Sequence, residues 1–324
     1  MNNSADNIAI KNVQITICVP TYNHEAYIRE SLDSILSQDV KKIQIIVADD
    51  GSVDKTPQII QEYKTKFPTI FDIILHATNI GVEKNVSSIY PLIKGKYVCW
   101  FAGDDAFLPN KLQKQLAYME SNPSCVFCYH DVWVTDRSTG LKYRFNNPII
   151  GKAAYSGNIT ENLIVDRCFI AMSSVMVRRR FAENISHQHI LKGISSDWLY
   201  AIELSMLGPV QFIEDVLSIY YRHDNNLTRQ SVSHENEEAI YKFLEKTYGH
   251  KFDRSIQKGR SILYINYIMK YFFLKRYKEA YHLIVKLKKQ YKLSKLLTLF
   301  GFAQLPLLII KHILLWFKTK NIFR

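Results

Sequence analysis

Ile45-Ile46-Val47-Ala48-Asp49-Asp50-Gly51-Ser52 is an apolar run that ends in two carboxylates and a glycine. Tyr97-Val98-Cys99-Trp100-Phe101-Ala102-Gly103-Asp104-Asp105 has the same design. A continuous apolar run of this length reads as a strand buried on both faces, as in a parallel sheet. Carboxylates just past such strands stand at the carboxyl edge of the sheet, where open α/β sheets bind ligands. Carboxylates crowded there repel one another, so a cation or a hydrogen-bonding ligand is expected among them. Oxygen ligands suit Mg²⁺ or Mn²⁺, and those ions usually bring phosphates with them.

Around these two runs, strand and helix signals alternate. Strands are expected at 15–19, 43–48, 71–76, 97–101 and 126–134. Helices are expected at 25–38, 56–67, 82–93 and 109–120, the first from Ile28, Leu32, Ile35 and Leu36 at helical spacing. Such alternation predicts βαβ units and a mostly parallel sheet. Further on, 172–177 and 210–221 read as extended and 196–207 as a helix stopped by Gly208-Pro209. From about residue 250 the pattern turns helical and basic, with helices expected at 262–273, 277–287 and 294–317.

The charge is uneven. The chain of 324 residues has a formal net charge of +12. Residues 251–324 alone hold 17 Lys+Arg against 2 Asp+Glu. The division expected is therefore a catalytic body, 1–250, and a basic, apolar helical tail, 251–324. The run Leu296–Phe317 contains Gln304, Pro306, Lys311 and His312 and is marginal as a membrane span. Apolar burial together with lysine attraction suits an interfacial helix on an anionic membrane. Nucleic acid is not expected, because the tail's aromatics recur at helical core spacing. An odd number of cysteines without a disulfide framework fits a reducing compartment. Cys125 and Cys128 lie three apart on a strand and face opposite sides, which excludes a zinc or redox pair. No signal peptide is visible in residues 1–12.

Chemistry is suggested at one further place. Val19-Pro20-Thr21-Tyr22-Asn23 follows the first strand. A base could stack on Tyr22 while Asp50 accepts hydrogen bonds from the base or its ribose. Asp197 opens a helix, where Asp is a favoured N-cap.

Taken together, Val19-Pro20-Thr21-Tyr22-Asn23, Ser31-Leu32-Asp33-Ser34-Ile35-Leu36-Ser37-Gln38 and Val47-Ala48-Asp49-Asp50-Gly51-Ser52-Val53-Asp54-Lys55-Thr56 resemble the start of a family 2 glycosyltransferase. Asn79-Ile80-Gly81 and Asn85 resemble the family's next segment, with Lys84 where many members have Arg. Gly103-Asp104-Asp105, then Leu108-Pro109 and Lys111-Leu112, resembles its metal-binding Asp-x-Asp element. The resemblance covers about residues 14–120. It implies a GT-A fold, a nucleotide-binding α/β sandwich with a mostly parallel sheet. It also implies inverting transfer of a sugar from a nucleotide-sugar.

By resemblance, Pro20, Thr21, Tyr22, Asn23, Asp50, Asn79, Asn85, Asp104 and Arg222 would bind the donor. Asp105 and His223 would hold a divalent cation, Mn²⁺ or Mg²⁺. Ser195-Ser196-Asp197-Trp198 is similar to the family's acidic element, with Asp197 as general base. Trp198 is either an acceptor contact or core, and the other histidines carry no assignment. The acceptor implied is a glycan or lipid-linked molecule of lipopolysaccharide or capsule assembly. The location implied is the cytoplasmic face of an inner membrane, peripherally bound.

Competing readings want other residues. A dinucleotide oxidoreductase would want GxGxxG after a strand, and the sequence has none. A sugar-phosphate nucleotidyltransferase would want a glycine-rich phosphate loop where Pro20-Thr21-Tyr22-Asn23 stands. A non-catalytic glycan-binding protein on the same body would not need Asp50, Asp105 and Asp197.

Overall fold

The computed structural model describes residues 13–146, 153–183, 185, 196–223, 226 and 234–290. Both aspartate-tipped runs are strands, and they flank a third. β1 (Ile15–Thr21) pairs in parallel with β2 (Ile43–Asp49) on one side and β4 (Tyr97–Trp100) on the other; β3 (Phe71–Leu75) lies beyond β2, also parallel. Helices α1 (Ile28–Leu36), α2 (Thr56–Lys66), α3 (Val82–Ile89) and α4 (Lys111–Ser121) follow successive strands. Ile28, Leu32 and Ile35 of α1 fall on one face and pack with Ile15, Ile17 and Val19. The alternate side chains, Cys18, Ile46, Ala48, Val98 and Trp100, pack with Ile89 of α3. A sheet covered on both faces has no polar face, which explains the unbroken apolar runs.

Element ends differ from expectation for identifiable reasons. β1 runs through Pro20 to Thr21, although Pro cannot donate to a ladder. Cys18 O and Pro20 O both accept on the β4 side, from Phe101 N and Gly103 N. The missing N–H of Pro20 therefore points where β4 has already ended, and costs little. α1 starts at Ile28 because His24–Tyr27 forms a turn, with Tyr27 N and Ile28 N both donating to His24 O. α3 stops at Ile89 because Pro91 cannot extend it; Tyr90–Leu92 makes one tighter turn.

The sheet continues through β8 (Met176–Arg178), β6 (Phe127–Asp136), β9 (Val210–Arg222) and β5 (Ala106–Phe107), in the order β3-β2-β1-β4-β8-β6-β9-β5; β7 (Lys142–Arg144) pairs with β6. β8 is antiparallel to β4 and β6, β5 is antiparallel to β9, and β9 is parallel to β6. The purely parallel half is thus β3-β2-β1-β4. β8 is short because Met172–Ser174 is a helical turn rather than strand. Arg178 fixes β8 in place: its buried guanidinium donates to Cys125 O, Met119 O, Asn122 O and Tyr97 Oη. Those partners satisfy a charge that burial would otherwise make costly. The first four residues of α5 (Thr160–Asp166), with α6 (Arg179–Ala182) and α7 (Ser196–Ser205), complete this part. Trp198 belongs to the core, buried and donating Nε1–H to Leu163 O at 2.7 Å.

A second unit comprises Ile164–Asp166 and the described residues from 234 onward. It contains α8 (His234–Tyr248), α9 (Asp253–Phe273) and α10 (Tyr277–Gln290). Within this unit α8 packs with the helices after it. Arg260 of α9 pairs with Glu238 and Glu245 of α8 at 3.0 and 2.8 Å. No helix among the described residues is long and apolar enough to cross a membrane. The helix expected at 294–317 lies outside the described residues.

Candidate active site

The parallel strands end together, so residues 22–24, 50–52 and 103–105 meet at one edge. Backbone bonds stitch this edge: Asp50 N donates to Thr21 O, His76 N to Asp49 O and Gly103 N to Pro20 O. Asn23 takes a left-handed φ of 53°, a conformation Asn tolerates. Its N–H donates to Ser52 Oγ at 2.8 Å and its Oδ1 accepts from Val53 N at 3.0 Å. His24 N donates to Thr56 Oγ1, and Glu25 N to Asp54 Oδ2. The segments 22–25 and 50–56 thereby form one hydrogen-bonded rim. Tyr22, 40% exposed, projects from it.

Within that rim Asp49 and Asp50 do different things. Asp49 caps the turn, accepting from the N–H and hydroxyl of Ser52. Burial still holds its carboxyl above the ordinary range. Asp50 is buried and accepts from Ile80 N at 2.8 Å, tying the end of β2 to the loop after β3. Asn79 is exposed, and its Oδ1 accepts from Gly81 N in a short turn. Asn85 is buried beneath the edge; its Nδ2 donates to Ala48 O, and its Oδ1 has no partner among the described residues.

Gly51 is required here twice over. Its φ is +71°, and a Cβ would lie 2.3 Å from Thr78 C and 2.6 Å from Asn79 N. Gly51→Ala is expected to cost about 2–3 kcal/mol of stability, since backbone must move to admit the methyl. Urea unfolding of the two proteins measures this difference.

Beyond β4 the two aspartates separate. Asp104 Oδ2 meets His223 Nε2 at 2.9 Å, Asn226 Nδ2 at 3.1 Å and His24 Nε2 at 3.8 Å. One ligand atom each from His24, Asp104 and His223 lies within 4.8 Å of the others. Burial pushes the Asp104 carboxyl up, but the His223 hydrogen bond and the two imidazoles outweigh it and leave the group low. Burial lowers His24 and favours its neutral, ligand-competent ring despite nearby Asp104. Thr21 Oγ1 holds His24 Nδ1 at 3.0 Å, which aims Nε2 at Asp104. His223 Nδ1 is buried without a partner among the described residues. Two imidazoles around an anionic carboxylate make a donor set that fits a divalent cation.

Asp105, expected as a cation ligand, faces elsewhere in this arrangement. It is buried, and its Oδ1 accepts from Tyr221 N at 3.1 Å. Burial, then the charge of Asp104, pushes its carboxyl well above the ordinary range. His24, which sequence reasoning left unassigned, lies with Asp104 and His223, and Asp105 is not in that group. The available signal was its position, directly after Tyr22-Asn23 and two residues from a strand end.

His223 is held from the side. The Tyr27 ring stacks on it at 4.5 Å, and Arg137 lies 4.9 Å from the Tyr27 ring and 3.5 Å from the Tyr221 ring. Glu30 binds both Arg137 and the Tyr221 hydroxyl at 2.7 Å. Arg137, which sequence reasoning left unassigned, thus stands beside this cluster. Arg222 is exposed and lies 5.8 Å from the Tyr143 ring.

Asp197 is exposed in the first turn of α7. Tyr200, one turn on, packs against the cluster that holds Cys18, midway along β1, and Trp100, the last residue of β4. Tyr90 stands 5.2 Å from Trp100, and the Asp197 charge contributes to raising its phenol, after burial, Tyr200 and Cys18.

The family model for glycosyl transferase family 2 matches residues 16–181. A protein of Mycobacterium tuberculosis, carried as uncharacterized, is 31% identical over 209 residues, which are 64% of this chain and 58% of that one. The chain thus spans under two thirds of that relative's length. An uncharacterized glycosyltransferase of Rickettsia typhi is 26% identical over 278 residues, 83% of each chain. Among solved structures, TarS 1–349 of S. aureus in complex with UDP-GlcNAc superposes with a TM-score of 0.59 at 17% identity, covering 76% of this chain and 70% of that one. The mannosyltransferase PcManGT from Pyrobaculum calidifontis, in complex with GDP-Man and Mn²⁺, gives 0.55 at 14% identity, covering 91% and 80%. These superpositions carry the GT-A fold. Asp197 and His223 both lie beyond the stretch the family model matches.

Proposed function

Because this chain belongs to glycosyl transferase family 2, we propose that it moves a sugar from a nucleotide-sugar to a hydroxyl of a glycan or lipid-linked acceptor, with inversion at the anomeric carbon. The observation that carries the reading is the convergence of His24, Asp104 and His223 at the strand edge that also bears Tyr22 and Asp50. The nucleotide-sugars in the S. aureus and P. calidifontis structures support such a donor, and the Mn²⁺ of the second supports a cation.

In this reading the base lies on Tyr22, and Asp50 accepts its N–H or the ribose hydroxyls. Pro20, Thr21 and Asn23 form the wall, Asn79 closes the far side, and Asn85 supports the β2 end from below. His24, Asp104 and His223 hold the cation, with Asp105 as a buried brace behind them. A donor set with two imidazoles favours Mn²⁺ over Mg²⁺, which prefers oxygen alone. When bound, the cation supplies charge stabilisation to the departing nucleoside diphosphate. Asp197 takes the proton from the attacking hydroxyl, the one base that a single inverting displacement requires. The basic, apolar C-terminal sequence supports a membrane-linked acceptor, in lipopolysaccharide or capsule assembly at a cytoplasmic membrane face.

A panel of nucleotide-sugars tested with Mn²⁺ for protection against heat decides the matter. A true donor at about 100 times its Kd adds about 2.7 kcal/mol. That is a rise in Tm of roughly 4 °C for a chain of this size. The rise should vanish with EDTA. No shift with any nucleotide-sugar, with or without Mn²⁺, would overturn the proposal.

A further inference from the structure

α9 and α10 meet in a turn that exposes four consecutive side chains, Phe273, Leu274, Lys275 and Arg276. Phe273 is 69% exposed and Leu274 56%. Among the large exposed hydrophobics of the described residues, they are the one pair adjacent in sequence. The backbone places them there. Leu274 N and Arg276 N bond back to Lys270 O and Tyr271 O, and Lys275 adopts a left-handed φ of 57°, which ends α9 abruptly. Phe272, one residue earlier, is half-buried beside Tyr277 at 5.8 Å. The inward side of the turn is therefore packed, and Phe273 and Leu274 belong to its outward side.

Cations surround the pair. Lys270, Lys275, Arg276 and Lys278 lie within five residues of it, against a single acid, Glu279, which pairs with Arg276 at 2.8 Å. Exposed hydrophobics scattered singly need no explanation. An exposed apolar pair flanked along the chain by cations is different, because it is the composition of an interfacial anchor. Apolar side chains enter the boundary between headgroups and acyl chains while cations meet anionic headgroups.

We propose that the α9–α10 tip docks on an anionic lipid bilayer, with Phe273 and Leu274 inserted and Lys270, Lys275 and Lys278 against the lipid phosphates. The proposal extends the reading of a membrane-linked acceptor, but lipid contact at the tip does not require turnover. One small anchor binds reversibly, and stable attachment takes a second signal. The sequence supplies a candidate in the apolar run 296–317, flanked by Lys292, Lys295, Lys318 and Lys320.

The test is cosedimentation of the full chain with acceptor-free vesicles of phosphatidylcholine, with and without phosphatidylglycerol. The wild-type chain should bind the anionic vesicles, and less so in high salt. Phe273→Ser with Leu274→Ser should lower the partition coefficient at least about tenfold. Lys275→Gln with Lys278→Gln should also lower it about tenfold. Donor protection should be the same in all these variants, which separates this proposal from the transferase reading. Phe273→Trp gives a direct reading, a blue shift of emission when anionic vesicles are added. Wild-type binding that survives the double serine change, as it would if residues 291–324 alone held the membrane, overturns the proposal. So does an indole at 273 whose emission does not move, or a wild-type chain that ignores anionic vesicles.

Discussion

Under the proposed reading, Asp104→Asn is expected to lower sugar transfer by about a thousandfold and to abolish Mn²⁺-dependent donor protection, because it removes the one carboxylate of the His24–Asp104–His223 cluster. The magnitude follows from a cation that stabilises transition-state charge by several kcal/mol. Asparagine keeps the shape and one acceptor oxygen, so His223 and Asn226 retain a partner and the fold should persist. Asp105→Asn is the control that gives the result its meaning. Asp105 points at Tyr221 N and is buried behind the cluster. Its replacement should leave Mn²⁺ affinity within about threefold of wild type, if a buried brace and not a ligand has been changed. Manganese binding followed by electron paramagnetic resonance separates the two variants without any need for activity. The reverse pattern, with binding lost at 105 and kept at 104, would move the ligand role back to Asp105.

The second large effect is expected at Asp197. Asp197→Asn should reduce kcat by about 10²–10⁴, the usual contribution of a positioned general base. Donor protection with Mn²⁺ should be unchanged, because the side chain belongs to α7 and not to the rim formed by 22–25 and 50–56. Rapid-quench turnover with saturating donor measures the first quantity and thermal melting the second. Unchanged kcat would remove Asp197 from the mechanism. Lost donor protection would mean that it binds the donor rather than the acceptor hydroxyl.

Much of the fold was legible because the decisive strands are buried on both faces. An unbroken apolar run ending in Asp marks such a strand and its carboxyl end, so β1, β2 and β4 and the helices between them could be read with their neighbours. Ends were less legible where backbone bonding decides them. Pro20 read as a stop, yet its missing N–H happens to face the side on which β4 is already finished. The later sheet was harder, because β5 and β8 are short and antiparallel, and Met172–Ser174 reads as strand by composition alone. In the site, Asp50 and Asp104 announced themselves by position. The partition between Asp104 and Asp105 did not, since adjacent carboxylates differ only in where the chain turns them. His24 was passed over because its partners, Asp104 and His223, are far away in sequence. Arg137 was missed for the same reason: its aromatic neighbours come from the turn before α1 and the end of β9.

The stretch from Thr21 to His24 has a double allegiance. At one end, Tyr22 and Asn23 stand where a nucleotide would rest, fastened to Ser52 and Val53. At the other, Thr21 steadies the imidazole of His24 against Asp104. So brief a stretch cannot settle for one guest without preparing for the other. If both guests bind as proposed, whatever steadies the nucleotide would also sharpen the seat of the ion, and by reciprocity the ion would favour the nucleotide in equal measure.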